Sequence, residues 1–343
     1  MRRVLRWVGW GTLALLVLVM ILPYVLSFES SGTLTVEQAA HRSLGAPPTF
    51  LELEGIDVYV EREVFRGGTQ EAGQEPLIVV LHGFGASTAT WREMLPDLAT
   101  LGEVVAYDRP PFGFTERPTG DAEVDPYGIM GQVELLGAVI DATRGDNPDR
   151  EVVLLGHSAG GTLAAEFARH RPGQADALVL VAPAVLTSGG TPGWLRPVLG
   201  FPPIDRAGPW LARSVARSAD GLLERSWHDP TRLTDAQRDR YDEPQQVDGW
   251  EQGLWRLVRA PSGLEVSEDP GALELPVLLV TGDDDRVVPT DDTVRLADLI
   301  DGAELSVLDR TGHVPHEESP EAFLDAVVAG WPLAAPSAGD GRD

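Results

Sequence analysis

Leu154-Leu155-Gly156-His157-Ser158-Ala159-Gly160-Gly161 follows a short apolar run that starts at Val152 and leads into a helix-forming stretch. A G-x-S-x-G pattern at a strand-to-helix junction makes a turn so tight that the positions two before and two after the serine need small residues. Gly156 and Gly160 occupy those positions. The turn lifts the Ser158 hydroxyl above a sheet at the N-terminus of a helix. There, backbone N–H groups and the helix dipole favour developing negative charge. In a chain with 37 glycines the five-residue pattern alone is weak. Its weight comes from the strand before it and the helix after it; the bland alternative is a Gly-rich turn without chemistry.

Working outward, further runs resemble the one at Val152–Leu155: Leu77–Leu81, Val104–Tyr107, Ala177–Val181, Val277–Val280 and the weaker Leu305–Leu308. Runs this short and apolar suit strands buried on both faces. Phe50–Leu53 and Ile56–Val60, split by Glu54-Gly55, read as two more strands around a tight turn. Helix-length segments such as Gln132–Thr143 and Gly161–His170 lie between several of the runs. The alternation predicts an α/β fold with a mostly parallel, doubly wound sheet. Residues 185–272 break the alternation and hold Trp194, Trp210, Trp227, Trp250 and Trp255, which predicts an inserted helical cap. The core is then 49–184 and 273–332. Residues 29–48, ending in Ala46-Pro47-Pro48, read as a linker, and 333–343 as a disordered tail.

Each remaining chemical candidate directly follows a predicted strand. His82-Gly83-Phe84-Gly85 follows Leu77–Leu81. A turn there can aim the Phe84 N–H at the same point as the Ala159 N–H, and two donors on one oxygen make an oxyanion hole. Asp283-Asp284-Asp285 follows the strand at 277, and Gly312-His313 follows the strand at 305. The acid must reach back over the elbow to a histidine ring, which takes a short loop first and favours Asp285 of the three. The order Ser158…Asp285…His313 is that of a nucleophile, orienting acid and base on this kind of sheet. His313, His316 and Glu317 raise a metal site, but no further ligands stand at suitable spacing, so neither metal nor cofactor is expected.

Composition removes other chemistries. The net charge of −26 and pI of about 4.5 repel nucleic-acid phosphates. There is no Lys and no Cys, which excludes a lysine Schiff base, a P-loop lysine, a thiol nucleophile and disulfides. Trp7–Phe28 carries no charged side chain and follows Arg2, Arg3 and Arg6. That pattern predicts a transmembrane anchor over residues 1–28 that places the catalytic domain on the extracytoplasmic side. A cleaved signal peptide, giving a secreted protein, is the alternative.

At these residues the chain resembles the α/β-hydrolase superfamily, in its cap-bearing esterase-like branch. The resemblance spans about residues 50–332 and rests on the motifs above together with Asp108-Arg109-Pro110-Pro111-Phe112-Gly113. It implies the α/β-hydrolase fold and hydrolysis of a small, apolar carboxylic ester through an acyl-enzyme on Ser158. Family members that cleave epoxides or haloalkanes carry Asp at the elbow, and Ser158 argues against those activities. Carbon–carbon bond hydrolysis or acyl transfer would use the same triad. A catalytically silent binding protein is the rival from another class.

Overall fold

Eight strands form one sheet in the order β1-β2-β4-β3-β5-β6-β7-β8. They are β1 (Thr49–Leu53), β2 (Ile56–Glu63), β3 (Leu77–Leu81), β4 (Glu103–Tyr107), β5 (Val152–His157), β6 (Ala177–Val181), β7 (Val277–Gly282) and β8 (Glu304–Leu308). The computed structural model describes residues 28–67, 73–118, 125–187, 191–216, 219–261 and 263–333, with residues 10, 17 and 20–26. β1 pairs antiparallel with β2, and β2 with β4; every later pairing is parallel. The helices of eight or more residues are α1 (Val36–Leu44), α2 (Ile129–Thr143), α3 (Ala159–His170), α4 (Pro202–Ala216), α5 (Ala219–Ser226), α6 (Asp235–Asp242), α7 (Trp250–Arg259), α8 (Thr290–Leu299) and α9 (Pro320–Ala329).

The central strands are apolar throughout because both faces are covered. Side chains alternate between faces along a strand. Leu77, Val79 and Leu81 pack with Val133, Leu136 and Val139 of α2 and with Leu163 and Phe167 of α3. Ile78 and Val80, one step out of register, pack on the other face with Trp91, Leu95, Leu98 and Phe323 of α9. Fully burying one such side chain is worth roughly 1.5–3 kcal/mol. A polar residue on either face of β3 or β5 would therefore weaken the platform that carries the elbow.

Between β6 and β7 the described chain forms α4 to α7 and short 3₁₀ turns, and contributes no strand to the sheet. α4 lies against α7 so closely that a Cβ at Gly208 would sit 2.0 Å from the Trp255 ring. The segment 29–48, read as a linker, contains α1, started by a capping box between Thr35 and Gln38. Just before it, Ser30 and Ser31 donate to Glu251 of α7 at 2.9 and 2.7 Å, and Arg213 of α4 donates to the same carboxylate at 2.6 Å. The N-terminal arm is thereby fastened to α4 and α7.

The anchor expected over Trp7–Phe28, and the membrane-bound placement drawn from it, are corrected. Among the described residues no helix is long and apolar enough to cross a membrane. Part of this arm packs on α4: the Pro23 carbonyl accepts from Arg206 at 2.7 Å, and Phe28 meets Trp210 edge-on at 5.6 Å. Apart from residues 10, 17, 20–26 and 28, that run lies outside the described residues, as does the tail beyond Leu333.

Candidate active site

Ser158 sits between the end of β5 and the start of α3 with φ 52° and ψ −119°. A positive φ on a side-chain-bearing residue costs on the order of 1–3 kcal/mol. The two flanking glycines let the chain hold it. A Cβ at Gly156 would lie 2.5 Å from the Gly160 carbonyl oxygen, and one at Gly160 would lie 2.5 Å from the Leu81 oxygen. Ala159 is the first residue of α3, so its N–H has no partner within the helix.

The turn after β3 touches this elbow. A Cβ at Gly83 would stand 2.9 Å from the His157 ring and 3.3 Å from the Ser158 Cβ. Buried Arg109 holds the turn: its Nη2 donates to the His82 carbonyl at 2.8 Å and its backbone N–H to the His82 ring at 2.9 Å. The other His82 nitrogen is 2.8 Å from the Gly83 oxygen, so Nδ1 carries the proton and donates there. Burial, reinforced by the Arg109 charge, holds His82 well below the ordinary histidine range. Phe84 follows, half-exposed, with its ring edge-on to Phe112 at 5.2 Å.

The three consecutive aspartates take different partners. Asp285 Oδ2 lies 2.7 Å from His313 Nδ1, and its Oδ1 accepts the Val287 and Val288 N–H groups at 2.8 and 2.9 Å. Asp284 Oδ2 lies 2.8 Å from His228 Nδ1. Asp283 accepts the Thr311 N–H at 3.1 Å. Asp285, accepting throughout, leaves the proton of His313 on Nδ1 and the lone pair on Nε2. Gly282 is required for close approach, because a Cβ there would sit 2.0 Å from the Thr311 oxygen.

Ser158, His313 and Phe84 line one cavity of about 360 Å³. α5, α6 and α7 line it with Leu222, Leu223, Tyr241, Trp250 and Leu254. Ser158 and His313 face this space without a hydrogen bond between them. Such contacts are commonly long before a substrate closes them. Of the five tryptophans in 185–272 only Trp250 lines the cavity among the described residues. Trp227 packs in its own cluster, Trp255 donates to Asp205, and Trp194 is 76% exposed.

Two neighbours of the site carry no sequence signal of their role. The His157 ring donates from Nε2 to the His313 carbonyl at 2.8 Å, and burial holds it neutral, well below the ordinary histidine range. Glu318, fully buried, accepts the Gly312 N–H at 2.7 Å. His316 does not turn toward a metal. It stacks on Trp91 at 3.9 Å, and burial lowers its pKa to about 3. Among the described residues no three His, Cys, Asp or Glu side chains are grouped to hold a metal ion.

Comparison with known proteins fits this geometry. A 2-hydroxy-6-oxo-2,4-heptadienoate hydrolase of Pseudomonas putida is 28% identical over 288 residues, covering 80% of this chain and 97% of the relative. A monoacylglycerol lipase of Xenopus laevis is 26% identical over 260 residues, covering 72% of this chain and 73% of the relative. The solved meta-cleavage product hydrolase of Pseudomonas fluorescens IP01 superposes with a TM-score of 0.61 at 26% identity, covering 82% of this chain and 97% of that one. The family profile of the alpha/beta hydrolase fold matches residues 76–320, and the chain belongs to that family.

Proposed function

We propose that the chain is a serine hydrolase that acts on a carboxylic ester through an acyl-enzyme on Ser158. The observation that carries this reading is the 2.7 Å contact of Asp285 with His313 in the cavity that also holds the strained Ser158. His313 Nε2 takes the hydroxyl proton as Ser158 Oγ bonds to the carbonyl carbon. The Asp285 carboxylate holds the imidazole tautomer and stabilises the imidazolium. The Phe84 and Ala159 N–H groups receive the negative charge that moves onto the carbonyl oxygen. When the tetrahedral species collapses, the bond to the leaving oxygen breaks and His313 returns the proton to it. Water then attacks the acyl carbon, His313 takes its proton, and the acid leaves as Ser158 regains its hydrogen.

A second reading has its own support. Relatives over most of the chain include meta-cleavage product hydrolases, which act on carbon–carbon bonds. The same triad would then deliver a proton to carbon rather than to oxygen.

One experiment separates the readings. Purified protein is assayed with p-nitrophenyl esters graded by acyl length and with a 2-hydroxy-6-oxo-dienoate, alongside labelling of Ser158 by a fluorophosphonate. Ester turnover with labelling supports the first reading, and turnover of the dienoate alone supports the second. Absence of labelling and of both turnovers defeats both.

A further inference from the structure

Glu318 is a buried carboxyl group that the proposed acyl transfer does not use. Glu318 has no exposed surface, and its carboxylate is committed to backbone. Oε2 accepts the N–H of Gly312 at 2.7 Å and of His228 at 2.9 Å, and Oε1 accepts the N–H of Asp229 at 3.0 Å. Gly312 immediately precedes His313. His228 and Asp229 come two and three residues after the end of α5. Leu222, Leu223 and Ser226 of that helix line the catalytic cavity. One carboxylate therefore joins the loop bearing His313 to the end of a cap helix that faces substrate.

The two segments also touch directly. The Ser226 carbonyl accepts the His313 N–H at 2.6 Å. A Cβ at Gly312 would stand 2.4 Å from that carbonyl oxygen and 2.7 Å from the His228 nitrogen. There is no room for either segment to slide past the other.

We infer that Glu318 is a positioning residue for His313: it locks the end of α5 to the His313 loop, so the seating of the cap sets where the His313 ring stands over Ser158. An anionic acceptor is what the place demands, since charge-assisted bonds to N–H groups are about twice as strong as neutral ones. The neutral amide of Gln offers one accepting atom and turns an N–H₂ toward an N–H. The inference rests on the proposed roles of Ser158 and His313.

The test is a double-mutant cycle read by turnover of p-nitrophenyl butyrate and by the rate of fluorophosphonate labelling. Glu318→Gln is expected to lower kcat and the labelling rate by about 10- to 100-fold with KM within about 3-fold and an unchanged circular dichroism spectrum. In a His313→Ala background the same substitution is expected to change the residual rates by less than about 2-fold, because it acts through the missing ring. A Glu318→Gln rate within about 3-fold of the parent overturns the inference, as does an equal loss in both backgrounds. If His313→Ala itself leaves turnover intact, the functional reading falls first, and this separates the two failures. Should Glu318→Gln not fold, Glu318→Asp keeps the charge but is too short to hold both segments, and the same cycle with it decides.

Discussion

Asp284 and Asp285 are neighbours in the chain, yet their carboxylates serve different histidines: Asp285 reaches His313 at 2.7 Å and Asp284 reaches His228 at 2.8 Å. His313 lines the cavity with Ser158, and His228 lies just after α5, outside it. Chemically identical side chains thus differ only in which way the loop after β7 turns them. Asp285→Asn places an amide against His313 Nδ1 and favours the wrong tautomer. It is expected to lower kcat by about 10³- to 10⁴-fold. Asp284→Asn is expected to cost less than about 10-fold. Steady-state kinetics of the two purified variants decide, and the reverse order would move the orienting role to Asp284.

Strain at the elbow gives a stability prediction that is independent of substrate. Ser158 holds φ at 52°, where glycine is at ease and alanine is not. Ser158→Ala and Ser158→Gly are both expected to lose turnover by about 10³-fold or more. They should part in stability, with Ser158→Gly the more stable by about 1 kcal/mol because it sheds the Cβ strain. Denaturant melts of the two variants read this directly. Equal midpoints, or a more stable Ala variant, would mean that the elbow stores no strain.

The elbow was legible in the sequence because its constraints are local. Gly156 and Gly160 are needed within one turn of Ser158, and strand runs such as Leu77–Leu81 and Ala177–Val181 are apolar on both faces, so their bounds match the structure. Strand ends that carry polar residues, such as Glu61 to Glu63 of β2, escaped a reading built on apolar runs. Glu318 was invisible for a different reason. Its partners are backbone N–H groups of His228, Asp229 and Gly312, and backbone partners leave no trace in residue identity. Ring type does not say which side a helix turns to the cavity, and of the five tryptophans in 185–272 Trp250 alone lines it among the described residues. Trp7–Phe28 read as membrane-spanning on composition, while its described part meets α4 through Pro23 and Phe28.

Glu317 gives a prediction on pH. Burial is the main cause that raises its pKa from 4.5 to about 7, although the Tyr241 hydroxyl donates to it at 2.8 Å. Below pH 4.5 the group is protonated in both folded and unfolded chains and costs nothing. As pH rises toward 7 the unfolded chain releases this proton while the folded one still holds it. Stability is therefore lost across that window, by on the order of 3 kcal/mol from this group. Glu317→Gln keeps an acceptor for Tyr241 and has no proton to lose. Its stability relative to the parent is expected to climb between pH 4.5 and 7 and then level off. A difference that stays flat across this range in urea melts would show that Glu317 ionises in the folded chain as it does in the unfolded one.

Phe84 separates what a backbone does from what its side chain does. The proposed contribution of this residue to the oxyanion is its N–H, held in place by Gly83 and by the Arg109 grip on His82. None of that needs the ring. The ring instead lines the cavity, half-exposed and edge-on to Phe112 at 5.2 Å. Truncation to alanine should leave the N–H where it is and remove an apolar wall. Phe84→Ala is accordingly expected to keep kcat on a short acetate ester within about 3-fold, since no charge-stabilising donor is lost. On an ester with a long acyl chain, lost apolar contact worth about 1–2 kcal/mol should raise KM by roughly 10-fold. The pair of substrates is the control, because a displaced N–H would depress kcat on both. A fall in kcat of about 100-fold on the acetate ester would show that the ring is what holds the turn, and would shift the selectivity role to another wall of the cavity.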